Sequence, residues 1–154
     1  MGIKSFQGIR KAVKKEFDAP IMVTDYMTKK LVTFRPDQSI LEVMELFQKY
    51  NISGGPVLDD NGFLVGIISE ADCMKQISES RYFNQPILDK SVEKYMTSGV
   101  ETIPHDMSIF DAAGVFHKNN RRRLPVMEKG ILVGQISRKD IVVAALKLSG
   151  QNWK

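Results

Sequence analysis

A single cysteine, Cys73, among 154 residues leaves no intramolecular disulfide to form, and two histidines are too few for a zinc cluster at the usual ligand spacings. No apolar run approaches the roughly 20 residues needed to cross a bilayer. The amino terminus lacks the long apolar core and small-residue cleavage site of a secretion signal. These absences point to a reducing cytoplasm. A strong charge imbalance is also missing from most of the chain. Five basic and two acidic residues give the first 20 residues +3, whereas 17 basic against 16 acidic residues leave the rest at +1. That near-neutral body argues against a broad nucleic-acid footprint. No nucleophile–base pair, metal cluster or matched pair of acids stands out, so the sequence supports no enzyme class.

What is present is an ordinary globular composition, 43% hydrophobic and 26% charged, in a length that suits one domain with a real core. Residues 1–20 place Ile3, Phe6, Ile9, Val13 and Phe17 at helical spacing, with basic residues mostly between them. The pattern predicts an amphipathic basic helix that packs on the body or on a partner subunit. A membrane surface is the alternative, but Glu16 and Asp18 dilute the charge and argue against it. Pro20 ends the pattern.

Beyond it, the chain repeats itself. At an offset of 69, Val23, Tyr26, Met27, Thr28, Thr33, Ser39, Ile40, Phe47, Asn51, Pro56 and Val57 fall on Val92, Tyr95, Met96, Thr97, Thr102, Ser108, Ile109, Phe116, Asn120, Pro125 and Val126. One residue is then lost in a turn. At offset 68, Gly62, Leu64, Val65, Gly66, Ile68, Ser69 and Asp72 meet Gly130, Leu132, Val133, Gly134, Ile136, Ser137 and Asp140. A fixed internal period means two units that bury their apolar faces against each other. Two such units stacked about a pseudo-twofold axis leave a pair of equivalent clefts.

Each unit reads strand, helix, strand, strand, helix. In the first, residues 31–34 form a short strand, and Ser39 caps a helix with Glu42 completing a capping box. Pro56 to Leu58 and Phe63 to Ile68 form a hairpin across Asp59-Asp60-Asn61-Gly62. Ser69 opens a second helix that runs to about Ile77. The second unit follows suit, with an extended run at 100–103, a helix capped by Ser108, a hairpin around Gly130 and a final helix opened by Ser137. The expected architecture is α/β (α+β): two pseudo-symmetric β-α-β-β-α repeats packed through their sheets. Repeat 1 spans 21–80, a linker 81–91, repeat 2 92–148 and a tail 149–154. Tyr82, Phe83, Ile87 and Leu88 suggest that the linker is packed, with Pro86 as its punctuation. Cys73 reads as a packed thiol, Met27 and Met96 as core, and His105 and His117 as surface.

The segments Val23 to Thr28, Gly55-Pro56-Val57 and Gly66 to Asp72 resemble the three signatures of a CBS (cystathionine β-synthase) domain. Val92 to Thr97, Arg123-Leu124-Pro125-Val126 and Gly134 to Asp140 resemble them again, in the same order. The resemblance covers about residues 21–148 and is closest to a stand-alone CBS pair, or Bateman module. It implies a non-catalytic sensor that requires no cofactor and binds an adenosine-containing ligand: AMP, ADP, ATP or S-adenosylmethionine. It also implies a homodimer associating through helices. The alternative is a ligand-free dimerisation scaffold that regulates a partner enzyme or transporter.

The implied ligand contacts are Thr28, Thr33, Gly55, Pro56, Ser69 and Asp72 in the first copy. In the second they are Thr97, Thr102, Arg123, Leu124, Pro125, Ser137, Arg138 and Asp140. A helix opening at Ser137 directs free backbone N–H groups at an anion. Asp140 would grip ribose hydroxyls, and Arg123 and Arg138 would offer fork-shaped donors to phosphate. Asp72 and Asp140 could equally be first-turn acids that stabilise helix dipoles, and the run Arg121-Arg122-Arg123 a solvated face. At the positions of Arg123 and Arg138, repeat 1 carries Gly54 and Glu70. The Asp140 cleft is therefore expected to be the better nucleotide site, although in a pseudo-symmetric module a phosphate can be held by the opposite repeat, where counting charges repeat by repeat misleads.

Overall fold

The computed structural model describes residues 21–84 and 90–152. The basic leader, Pro86, Ile87, Leu88 and Trp153 lie outside the described residues. Repeat 1 contains α1 (Ile40–Tyr50), β1 (Gly54–Leu58), β2 (Leu64–Ser69) and α2 (Glu70–Tyr82). The chain continues through the helical turn α3 (Val92–Tyr95), then β3 (Ile103–Pro104), α4 (Ile109–Asn119), β4 (Arg123–Glu128), β5 (Ile131–Ser137) and α5 (Arg138–Asn152). β1 and β2 form an antiparallel pair, and a second sheet has the order β3-β4-β5 with β3 parallel to β4.

The duplication is visible in the backbone. Ser39 and Ser108 each cap a helix by accepting the N–H three residues on, at 3.1 Å. Asn51 and Asn120 each end that helix in the left-handed region at φ 52°, where asparagine is tolerated better than a bulkier side chain. The missing residue is in the second hairpin. There Lys129 and Gly130 make a two-residue turn with φ 51° and 79°, the geometry that suits a tight hairpin. In the longer first turn only Gly62 takes positive φ, and Asp59 Oδ1 accepts the N–H groups of Asn61 and Phe63 at 2.9 Å each.

Four local expectations are corrected. Residues 31–34 form no strand but a single parallel bridge between Phe34 and Val57. The Val32 carbonyl stands 2.8 Å from where a Gly55 Cβ would be, so the chain crosses β1 closely, and Pro36 has no N–H with which to extend a ladder. The capping box at Ser39 is half made, since the Glu42 carboxylate accepts from the Gln38 side chain instead. The linker aromatics Tyr82 and Phe83 are exposed and meet edge to face, with centroids 4.9 Å apart. α2 itself runs five residues past the expected end near Ile77.

The cores do not follow the chain order of the repeats. Phe34, Ile40, Val43, Phe47, Val57, Ile68 and Cys73 form one cluster, and it is completed by Val92 with Tyr95 and Met96. The other gathers Ile103, Ala112, Phe116, Leu124, Val126 and Ile136 around Val23, with Tyr26 and Met27 packed against it. The opening segment of each repeat is thus buried in the other. Backbone bonds fix this exchange: Val23 N–H to Met107 O at 3.0 Å, and its twofold mate Val92 N–H to Gln38 O at 2.9 Å. Met27 and Met96 fill core as expected. Among the described residues no helix is long and apolar enough to cross a membrane.

Candidate functional site

The exchange of opening segments shapes the clefts. Thr97 pairs in antiparallel fashion with Ile67 of β2, and Thr28 pairs likewise with Gln135 of β5. Each Met-Thr element therefore forms a lip on the opposite repeat. This close crossing requires glycine. A Cβ on Gly66 would stand 2.9 Å from the Thr97 carbonyl, and one on Gly134 2.9 Å from the Thr28 carbonyl.

Two cavities related by the pseudo-twofold lie against these lips. The larger, about 550 Å³, is lined by Ser69, Glu70 and Ala71 at the start of α2, by residues 97–101, and by Asn120 to Leu124. The smaller, about 290 Å³, is lined by Thr28, Lys30, Leu31 and Val32, by Asn51 to Pro56, and by Gln135. Ser53, Gly54 and Arg123 line both. The larger has the size of a small-molecule pocket.

Seven of the expected site residues are divided between them, and Asp72, Ser137, Arg138 and Asp140 line neither. Ser69, Thr97, Arg123 and Leu124 line the larger cavity, and Thr28, Gly55, Pro56 and again Arg123 the smaller. Thr33 is exposed and lines neither. Thr102 borders a separate hollow with Phe63, Leu64 and Met127. Pro125 is buried beneath the strand surface.

The arginines overturn the charge assignment made repeat by repeat. Arg121 and Arg122 face the cavity that carries the Ser69 cap, and Arg123 is shared between it and the one beside β5. Arg138 is turned away: its Nε donates to the Arg121 carbonyl and its Nη2 to Asn120 Oδ1 at 3.0 Å. Arg121 pairs with Glu101 at 3.2 Å, and Asn119 donates to the other oxygen of that carboxylate. Among the described residues the Arg122 guanidinium has no hydrogen-bond or ion-pair partner. The donors to an anion are thus held largely across the repeat boundary.

Asp72 and Asp140 act as helix caps. Asp72 Oδ2 accepts the Ser69 N–H at 2.8 Å and the Ser69 hydroxyl at 2.9 Å, completing a reciprocal capping box. Asp140 Oδ2 accepts the Ser137 N–H at 2.9 Å, and Ser137 Oγ accepts the Asp140 N–H at 3.2 Å. The first-turn role is therefore real, and each Oδ1 is left without a protein partner among the described residues. Next to the first cap, burial and the charges of Asp72 and Glu70 push the Cys73 thiol up to about 11. That thiol is packed, as its sequence context predicts.

Lys30, Ser53, Glu101, Arg121, Arg122 and Gln135 line the cavities although sequence reasoning assigned them no contact. The duplicated Thr28 and Thr97 lie beside several of them in sequence, but only the crossing of the segments shows which cavity they serve. No group of three or more histidine, cysteine or carboxylate side chains suited to a metal occurs among the described residues.

Comparison with known proteins gives a consistent pattern. The profile of the CBS domain family matches residues 23–79 and 92–147. The chain is 34% identical over 155 residues to protein MJ1426 of Methanocaldococcus jannaschii, covering 82% of this chain and 92% of that protein. It is 33% identical over 113 residues to inosine-5′-monophosphate dehydrogenase of Aquifex aeolicus, covering 72% of this chain but only 22% of the enzyme. Among solved structures, CBSX2 in complex with AMP superposes with a TM-score of 0.73 at 31% identity, covering 84% of this chain and 99% of CBSX2; CBSX2 is a CBS-pair protein from Arabidopsis thaliana. The CBS domain pair of protein MJ0100 in complex with 5-methylthioadenosine and S-adenosyl-L-methionine superposes at 0.71 with 29% identity, covering 83% and 98%.

Proposed function

The chain belongs to the CBS domain family, and from that premise we propose that it is a non-catalytic regulatory module binding an adenosine-containing ligand between its repeats. The observation that carries this reading is the 550 Å³ cavity, where the Ser69 cap, the Thr97 lip and three arginines converge from both repeats. The Arg122 guanidinium can meet phosphate directly, since no carboxylate has to be displaced from it. The Ser69–Asp72 cap leaves Oδ1 of Asp72 for a ribose hydroxyl, and the apolar Ile67 and Leu124 flank space for a flat base. The AMP and S-adenosylmethionine complexes of the CBS-pair neighbours support the same ligand class.

The larger cavity, with Arg121 and Arg122 beside Arg123, is the stronger site for a phosphorylated ligand in this proposal. The smaller cavity, with Lys30, Arg123 and the neutral amide of Gln135 but no carboxylate in its lining, suits a nucleoside or a singly phosphorylated ligand better than a cationic adenosyl group. A ligand touching both repeats favours one relative orientation by, at most, its difference in affinity between the two states. Isothermal titration of the full chain with adenosine, AMP, ATP and S-adenosylmethionine tests this reading. Saturable binding of AMP or ATP supports it, and no heat from any of the four refutes it.

A second reading has its own observation. Val142, Val143 and Leu146 on α5 and Phe110 on α4 are exposed, as expected of a module that associates through its helices. Here a homodimer or a partner protein would use that face, with or without a ligand. Sedimentation of the chain with and without AMP separates assembly from sensing.

A further inference from the structure

Three residues form the partition between the cavities. Ser53, Gly54 and Arg123 each line both of them. The pseudo-twofold exchanges Gly54 with Arg123, so the axis carries one guanidinium where perfect symmetry would give two or none. Arg123 Nη2 donates to Ser53 Oγ at 2.6 Å and Nη1 to the Gly54 carbonyl at 3.3 Å. A Cβ on Gly54 would stand 3.3 Å from that Nη1 and 2.9 Å from the Ile68 carbonyl, so this glycine makes the room that the guanidinium occupies. Both acceptors are neutral. No carboxylate pairs with Arg123 among the described residues, although the side chain is half-buried.

A half-buried cation without a counter-ion is a receptor for an anion. Its planar fork can turn to one side of the partition or the other, but not to both together. Resting on the proposal that the cavities take adenosine ligands, we infer that Arg123 is a single anion receptor shared by the two cavities. A phosphorylated ligand in one cavity then weakens the binding of a second phosphorylated ligand in the other. By linkage the penalty is the same whichever cavity fills first. A ligand without phosphate makes no claim on the guanidinium and fills the cavities independently.

Site-resolved NMR titration of the full chain reads this directly. The amides of Thr97 and Gly99 report the larger cavity, and those of Thr28 and Gln135 the smaller. With adenosine, each set should follow a simple hyperbola. With AMP, the curves should broaden to a Hill slope below one, with the second cavity weakened at least about fivefold by filling of the first. In Arg123→Met, which keeps the apolar stem and removes the charge, the AMP curves should become hyperbolic while binding in the first cavity weakens. Adenosine filling both cavities while AMP fills one would be the limiting form of the same coupling. Hyperbolic AMP curves in the wild type, broadening that persists in Arg123→Met or appears with adenosine, or one-cavity filling by both probes would overturn the inference. If neither probe shifts any of these amides, the proposed function itself fails.

Discussion

Thr97 and Ile67 exchange both backbone hydrogen bonds, N–H to O at 2.9 and 3.0 Å, although one opens the second repeat and the other is in a strand of the first. Thr28 and Gln135 repeat the arrangement at 2.9 and 3.0 Å. These two ladders fasten each Met-Thr element to the opposite repeat. They make the cavities composite, each walled by both halves of the chain. Separating the halves would therefore open the binding surface as well as the core. That coupling is what a module reporting occupancy through repeat orientation requires.

The ladders make a prediction about glycine. In Gly66→Ala the new Cβ would lie 2.6 Å from Met96 Sδ and 2.9 Å from the Thr97 carbonyl; in Gly134→Ala the corresponding contacts are Met27 Sδ at 2.5 Å and the Thr28 carbonyl at 2.9 Å. The thioether can move, but the carbonyl is held by the ladder. Each substitution should cost about 1–3 kcal/mol in urea unfolding. Gly114, inside α4 with open space around its Cβ position, is the contrast. Gly114→Ala should raise stability by roughly 0.5–1 kcal/mol. Equal effects at 66 and 114 would contradict the crossing geometry.

Much of this was legible in the sequence because duplication shows each local rule twice. The serine caps, the asparagine helix ends and the glycine turns recur at fixed offsets, and each follows from its own backbone demands. What one repeat alone cannot show is which neighbour a segment leaves it to meet. Arg123 and Arg138 belong to the same repeat as Ser137, and a reading repeat by repeat places them in its cleft. In the fold, Arg138 bonds back to Asn120 and Arg121, while Arg123 points across to Ser53. Residues 31–34 show the same limit on a smaller scale. Their β propensity is real, but a ladder needs a partner running alongside, and the close crossing at Gly55 denies it one.

The free guanidinium in the larger cavity separates phosphate binding from nucleoside binding. Arg122→Gln should weaken AMP binding by about tenfold, consistent with losing one charge-assisted contact, and leave adenosine affinity within a factor of two or so of wild type. ATP should lose at least as much as AMP. Calorimetric titration of the variant with all three measures this. An equal loss for adenosine would place Arg122 in a structural role instead.

A second pair of residues shows the two halves solving one packing problem with opposite charge. Tyr95 donates its hydroxyl to Glu79 at 2.7 Å, and its twofold mate Tyr26 has the Lys147 ammonium 5.6 Å from its ring centroid. Glu79 and Lys147 occupy equivalent places on α2 and α5. Tyr95→Phe should cost about 0.5–1.5 kcal/mol, and Glu79→Gln less, because an amide oxygen still accepts from the phenol. Lys147→Met should cost about 0.5–1 kcal/mol, the worth of an exposed cation–π contact. Thermal unfolding of the three variants gives the order, and a larger loss in Glu79→Gln than in Tyr95→Phe would show that the carboxylate has another structural duty.

Stability should also fall on the alkaline side, and Cys73 fixes the window. Its thiol is buried, and burial with the neighbouring Asp72 and Glu70 charges moves its pKa from 9.0 to about 11. The folded chain therefore holds the proton more tightly than the unfolded chain does. Where the native state binds more protons, the unfolding free energy decreases as pH rises. The contribution is fully present below pH 9 and is lost as pH climbs through the folded value near 11. Two pKa steps correspond to, at most, about 3 kcal/mol. Tyr95, raised by its bond to Glu79 and by burial, adds a loss of the same sign above pH 10. Cys73→Ala would shed the thiol's share while costing packing at every pH, so the informative quantity is slope. Urea unfolding at intervals from pH 8 to about 10.5 should give a shallower decline for the variant than for the wild type; parallel declines would mean that ionisation of this thiol does not oppose the fold.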